Sequence, residues 1–358
     1  MRRQIMLALM LGAWLYSTAQ QNGVWGLTEC IQYALAHNLN IKQQEDNVKL
    51  QEISLSTSKN SRLPDLNGSI GENFSFGRAL TSDNTYMNRN TNSTSFSVGT
   101  SVPLITGGRI PADIKIHKIN LQAALQDYEH VRENVALSVT SSFLEAIYQK
   151  DLVQVAERQV ELSKAQVRRM ELLFQNDKAS EAELSQIRAT LANDELSLTQ
   201  QQNSYMLALL DLSQLLELES PEGFDVSRPL EESYMGDELP SPDLVYNEAV
   251  GIKPQIQAEQ FRLQSAEKNI QLAKSALYPS LHFSAGMGSS YYKTSGYEAI
   301  GFGKQLRDNF NPYLGVTLSV PIFNRFATRN SVRSARLQVH AQEIKLEQTK
   351  KSLYKEIQ

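Results

Sequence analysis

Apolar residues recur every seventh place from Leu27 to about Ser58, at Leu27, Ala34, Ile41, Val48 and Leu55. The same spacing returns at Ile256, Leu263, Ile270 and Leu277. A seam of period 3.5 predicts a helix that supercoils left-handedly with a partner, the alternative being an amphipathic surface helix. Pro64 and Pro279 close these helices, because proline and the residue before it resist helix. Strict alternation follows each proline. In 66–76, Phe74 and Phe76 share a face with Leu66 and Ile70, with Glu72 as a misfit, and Ser69 and Asn73 lie opposite. In 95–104, Phe96, Val98, Val102 and Leu104 oppose Ser97 and Gly99. The second half repeats this. Leu281, Phe283 and Met287 oppose Ser284 and Gly286, and in 314–322 Val316, Leu318, Val320 and Ile322 oppose Thr317 and Ser319. Period two predicts four strands of about ten residues, the length a tilted strand needs to cross a bilayer. One face is apolar. The other is built of Ser, Gly, Thr and Asn with almost no charge, which suits a water-filled lumen. A soluble sandwich with one wet face also alternates. The stretches 77–94 and 292–312 read as long polar loops, and long loops on one side fit an outer-membrane exterior.

Helix resumes after Pro111. Val153, Ala156, Val160, Ser163, Val167, Met170 and Phe174 step by three and four. A break falls at Gln175-Asn176-Asp177-Lys178, and Ser180 with Glu183 forms a capping box. Leu184, Ile187, Leu191, Asp194, Leu198, Gln201, Tyr205, Ala208 and Leu212 then step back. So tight a connection predicts antiparallel neighbours. Asp194 and Gln201 are polar on this seam, either to fix register or to face water.

The chain repeats once. Residues 27–66 align with 242–281 at an offset of 215, and Ser101-Val102-Pro103-Leu104 aligns with Ser319-Val320-Pro321-Ile322 at 218. The organisation read from this has three parts. Residues 20–220 are a first repeat, 221–243 an acidic, Pro-containing linker, and 244–358 a second repeat. Repeat symmetry leaves that second repeat about 80 residues short, lacking a second hairpin. Val332, Leu337, Val339, Ile344 and Leu346 are then expected to be partly exposed, for want of a return helix. Ahead of the repeats, Arg2-Arg3, the apolar run Ile5–Leu15 and Ser17-Thr18-Ala19 read as a signal peptide over 1–19.

Composition narrows the chemistry. The net charge of −4 gives no basic surface for nucleic acid. One cysteine, Cys30, excludes an internal disulfide and a cysteine-cluster metal site, and it reads as a small core residue. His37, His117, His130 and His340 lack partners at ligand spacing. No catalytic, cofactor-binding or metal-binding residue is assigned, and no enzyme is expected.

The opening Leu27-Thr28-Glu29-Cys30-Ile31-Gln32-Tyr33-Ala34-Leu35, with Asn38 and Asn40, is joined by the Pro64 and Pro279 joints, the two Ser-Val-Pro joints and the stretch Lys178–Leu184. In this order they make the chain resemble the TolC-like outer-membrane efflux proteins over its whole mature length. The resemblance implies an α+β membrane fold with long coiled-coil hairpins. Four transmembrane strands per chain would close as a 12-stranded trimeric barrel, since four alone leave edges that lipid does not tolerate. It implies a homotrimer in the outer membrane, extending into the periplasm, that serves as a passive exit duct for a tripartite efflux or type I secretion system. Its partners would be a periplasmic adaptor and an inner-membrane pump, with no cofactor. Phe174, Asp177, Lys178, Ala179 and Ser180 would form the adaptor-contact tip. Phe74, Phe76, Phe96, Val98, Val102, Phe283, Val316, Leu318 and Val320 would face lipid. Ser69, Asn73, Ser97, Gly99, Ser284, Gly286 and Thr317 would face the lumen. The family tip commonly has Gly where this chain has Asp177, and Asp tolerates the left-handed turn better than most residues. The competing reading is a soluble periplasmic coiled-coil scaffold or adaptor.

Overall fold

A computed structural model describes residues 24–80, 84–220, 223–228, 240–296 and 298–358. The leader over 1–19 and most of the 221–243 linker lie outside the described residues. The elements, in chain order, are β1 (Val24–Trp25), α1 (Leu27–His37), α2 (Leu39–Asn60), β2 (Asn67–Ser75), β3 (Arg78–Leu80), β4 (Tyr86–Asn88), β5 (Thr91–Thr106) and α3 (Arg109–Gln175). They continue with α4 (Glu181–Leu215), β6 (Asp225–Val226), α5 (Pro242–Ile252), α6 (Pro254–Ser275), β7 (Ser280–Thr294), α7 (Phe302–Asp308), β8 (Asn311–Ser319) and α8 (Ala327–Ile357).

The internal repeat reaches the element boundaries. Shifted by 215, α1 and α2 become α5 and α6 end for end; shifted by 218, the start of α3 becomes the start of α8. The expected single helix over 27–58 is in fact two. Asn38 breaks it at ψ 131°, and Lys253, 215 residues on, breaks its counterpart at ψ 124°. The heptad seam runs straight through both breaks, so periodicity carries no sign of them. The first break is held by the buried Asn38 side chain, which accepts from Asn40 N at 2.9 Å and donates to Leu215 O at 3.0 Å. At the second, Pro254 opens α6 with the fixed φ a first helical position needs.

One compact unit comprises residues up to Glu45 and from Tyr128 to Pro240. Its core sets Cys30 and Ala34 of α1 against Val139 and Phe143 of α3 and Leu212 of α4, all fully buried. β1 and β6 pair in parallel beside it, with Trp25 edge-on to Tyr33 and Phe224. β6 gives part of the expected linker regular structure. Asp225 is held at four points. Lys150 Nζ of α3 donates to both carboxylate oxygens at 2.8 Å, Tyr205 of α4 donates its hydroxyl, and Val226 N donates at 2.7 Å.

The second unit comprises Asp46–Asp127 and Ser241–Gln358. Its sheet is antiparallel with strand order β2-β5-β7-β8. Beside it α8 lies along α6 and α5, burying Leu346 and Leu353 against Ala249 and Ile256. The expectation of exposed positions on α8 is corrected at Leu346 alone. Leu346 is buried and Val332 and Val339 are half-buried, while Leu337 and Ile344 are exposed. The sequence reading allowed only a return helix as partner and overlooked α6. Glu259 is buried between them, bonded to Arg262 at 2.8 Å and to Gln342, and ion-paired with Lys345 at 3.4 Å.

Candidate functional site

The sheet keeps its two faces because directly opposed residues of antiparallel strands share a side. Register sets Ile70 beside Phe96, Val98 beside Met287, Val102 beside Phe283, and Phe283 beside Val316. Phe74 and Leu318 join that face. The other face aligns Ser69 with Ser97, Asn73 with Ser93, Gly99 with Gly286, Ser284 with Gly315, and His282 with Thr317. The seven residues expected to face the lumen therefore share one side, and seven of the nine expected to face lipid share the other. Phe76 and Val320 each fall one residue beyond a strand end. The apolar face is open: Ile70 is 76% and Leu314 80% exposed.

Three details differ from the sequence reading. β5 and β7 run 16 and 15 residues rather than ten, while β2 and β8 have nine each. The register slips between Pro103 and Ile105, so Ile105 lies opposite Leu281 and Leu104 is the extra residue of a bulge. Adjacent Leu and Ile cannot reveal which of them takes the face. The expected loops also contain structure. β3 pairs with β4 within 77–94, and α7 lies within 292–312. Past the end of β8, α7 covers the open edge of β7. The Gln305 carboxamide accepts from Tyr292 N at 3.0 Å and donates to Tyr292 O at 2.9 Å, as a neighbouring strand would. Glu72, the misfit, lies on the apolar face and accepts a hydrogen bond from the Thr94 hydroxyl.

On the polar side, at the joint between strands and helices, lies an open cavity of about 720 Å³. Asp65, Arg109, Tyr278 and His282 are among its lining residues. Asp65 is fixed there, accepting from Ser101 N at 2.6 Å and from Asn67 Nδ2 at 2.9 Å.

The hairpin end forms as the capping residues predict. Lys178 N donates to Leu173 O at 2.9 Å and Asp177 N to Phe174 O at 3.1 Å, a Schellman closure with Asp177 left-handed at φ 55°. Ser180 Oγ accepts from Glu183 N at 3.2 Å and Glu183 Oε2 accepts from Ser180 N at 2.7 Å. The Ser180 backbone N–H, then its hydroxyl, hold the Glu183 carboxyl below its usual range. Lys178 is exposed and Ala179 half-buried. Along the hairpin, Val160, Ser163 and Val167 are buried on the seam, and Ser163 Oγ donates to Asp194. That polar exception thus bonds across the two helices, as a register device does.

Reactive chemistry finds no support at Cys30. Burial first, then the Glu29 charge, push its thiol up to about 12. Among the described residues, no group of three or more His, Cys, Asp or Glu is placed to hold a metal ion, and no helix is long and apolar enough to cross a membrane.

The outer membrane efflux protein family matches residues 30–217 and 245–358, most of the chain and both repeats. The chain belongs to the outer membrane efflux protein family. Its site is the outer membrane and its work is efflux through a channel. No curated protein matches by sequence. Solved structures share the fold. A membrane protein from Pseudomonas aeruginosa has a TM-score of 0.74 at 15% identity, over 94% of this chain and 74% of its own. CusC, described as forming a transmembrane channel, has 0.72 at 18% identity, over 92% and 73%. The Campylobacter jejuni CmeC outer membrane channel has 0.71 at 19% identity, over 92% and 67%. The family's proteins, like the neighbours CusC and CmeC, are channels rather than enzymes.

Proposed function

We propose that three copies of this chain close a twelve-stranded barrel. It serves as the passive exit duct of a tripartite efflux or type I secretion system. The observation that carries this reading is the four-stranded sheet. One face is apolar and exposed, the other is small, polar and nearly uncharged, and β2 and β8 end the sheet with no further strand among the described residues. Unpaired backbone is not viable in lipid, so the edges need partners, and three copies give an even count of strands. The apolar face takes lipid and the polar face lines water. Family channels of this kind work with an adaptor and an inner-membrane pump. In this chain the Schellman turn at Asp177 and the exposed Lys178 form the docking tip, with Phe174, Ala179 and Ser180 around them. A soluble scaffold would leave the apolar face without a role.

The test is native mass and single-channel conductance after reconstitution in lipid. The parent chain is expected to assemble as a trimer in lipid. Val316→Asp, placing a carboxylate against hydrocarbon at a cost of a few kcal/mol, should lose assembly, and Ser97→Asp should keep it. A detergent-free soluble monomer would overturn the reading.

A further inference from the structure

The trimeric reading leaves open how β8 of one copy meets β2 of the next, and the internal repeat answers it. β5 and β8 are equivalent strands at an offset of 218, and β7 and β2 are equivalent at 215. Helix boundaries obey the same offsets to the residue. The contact β5 makes with β7 inside one chain is therefore the template for the contact β8 makes with β2 of a second copy. We propose that the intrachain register sets the interchain one, so that Ser319 lies opposite Ser69, Leu318 opposite Ile70 and Thr317 opposite Gly71 of the second copy. The templates are Ser101 with Ser284, Thr100 with Ala285, and Gly99 with Gly286.

Chemistry fits this placement. It sets two apolar side chains together on the face already apolar and small or polar ones together on the other. A slip of one residue would oppose the faces. A slip of two would preserve them, so face matching alone does not decide between those registers. Close packing does. A Cβ at Gly286 would lie 2.7 Å from Val98 O, so this contact needs glycine, and Gly71 supplies it at the equivalent position of β2. The transfer holds for the strands alone. Gly107 lies so close to Ser275 and Tyr278 that a Cβ would sit 2.7–2.8 Å from them, and Arg325 takes its equivalent place. The helix joint therefore stands further from the second copy than its template does.

The experiment uses paired cysteines in the full chain in lipid, oxidised and run on a denaturing gel. Directly opposed Cβ atoms are about 4.5–5.5 Å apart and diagonal ones about 7–8 Å, while a disulfide spans about 3.5–4.5 Å. Native Cys30 is fully buried and stays out of the reaction. Ser69→Cys with Ser319→Cys is expected to give covalent trimers. Asn67→Cys with Ser319→Cys and Ser69→Cys with Thr317→Cys, each displaced by two residues, should give several-fold less. Preferential crosslinking of either displaced pair overturns the register. Native trimers with no pair crosslinked overturn it too, while leaving the trimeric duct standing. A parent chain that forms no trimer in lipid overturns both.

Discussion

Arg325 and Phe326 occupy left-handed backbone at φ 53° and 62°, where the first repeat has Gly107 and Gly108 at 58° and 82°. A Cβ in that region costs about 1–2 kcal/mol, and glycine returns part of this as unfolded-state entropy, about 0.4–1 kcal/mol. Arg325→Gly should therefore stabilise by about 0.5–1 kcal/mol, read as a higher thermal midpoint of the assembled protein. A lower midpoint would mean that the guanidinium makes a contact worth more than the strain. The glycine pair is legible in sequence as a turn. Its second copy is not, because Arg-Phe argues against the backbone it adopts. Asp225 gives a second test. Burial raises its carboxyl, but the hydrogen bonds from Lys150, Tyr205 and Val226 N, with the Lys150 charge, outweigh that and hold it below its ordinary value. A depressed carboxyl stabilises above its unfolded value near 4, and that stability is lost as pH falls through the folded value. Tyr205 is displaced upward, by burial first and then by Asp225, so its share is lost as pH rises beyond about 10. Amide exchange in β1 and β6 should thus quicken at both extremes. Asp225→Asn should quicken it at neutral pH, by on the order of 1 kcal/mol because both partners are partly exposed. Unchanged exchange in that variant would show that the carboxylate does not hold β6.

Among the elements, the strands make the sharpest contrast between glycines. Gly286 of β7 lies under Tyr313 of β8 as well as against β5. An added Cβ would be 2.7 Å from Val98 O and 2.8 Å from the Tyr313 hydroxyl. Opposite it in β5, a Cβ at Gly99 is crowded by that hydroxyl alone, at 3.3 Å, with Ala285 O at an ordinary 3.8 Å, and a tyrosine tip can give way. Gly286→Ala should therefore destabilise the sheet by about 1–3 kcal/mol, as overpacking does, while Gly99→Ala stays within about 0.5 kcal/mol. Denaturant midpoints separate them, and equal shifts would mean that β7 does not approach β5 as closely as described. Both glycines look alike in sequence, since alternation places them on one face but is blind to which neighbour crowds them. The same limit explains what periodicity delivered elsewhere. It revealed the sheet faces and the hairpin seam, where one environment persists for many residues. It missed the bulge after Pro103, the break at Asn38, and α7, each of which is set by contacts beyond its own stretch of chain, and it is blind to the break at Lys253, which the adjacent Pro254 imposes.

At the scale of the molecule, the apolar face has a measurable height. It runs along β7 from the row of Leu281, with Ile105 and Leu318 beside it, through Phe283, Ala285 and Met287 to Ser289, whose neighbour is Phe96. The next row turns polar, with Glu72, Thr94 and Tyr291 aligned, and beyond it Asn92 sits beside Lys293. The eight rises from Leu281 to Ser289 span about 27 Å of strand at 3.3–3.4 Å each, or roughly 20 Å across the membrane at a tilt near 40°. Outer-membrane barrels carry an apolar band of about 25 Å, so the face is close to a full span, and the Glu72 row marks its outer limit. Glu72 is then at home, because at a headgroup boundary a carboxylate keeps its water while Thr94 holds it on the sheet. Depth follows for every residue of the face. A nitroxide at Leu314, beside Ala285 in the middle row, should be relaxed by oxygen dissolved in the bilayer and shielded from an aqueous nickel chelate. One at Asn92, two rows beyond Phe96, should show the reverse. If both labels answered to the nickel chelate, the apolar face would meet water or protein rather than lipid, and the duct would have to be built with its faces turned the other way.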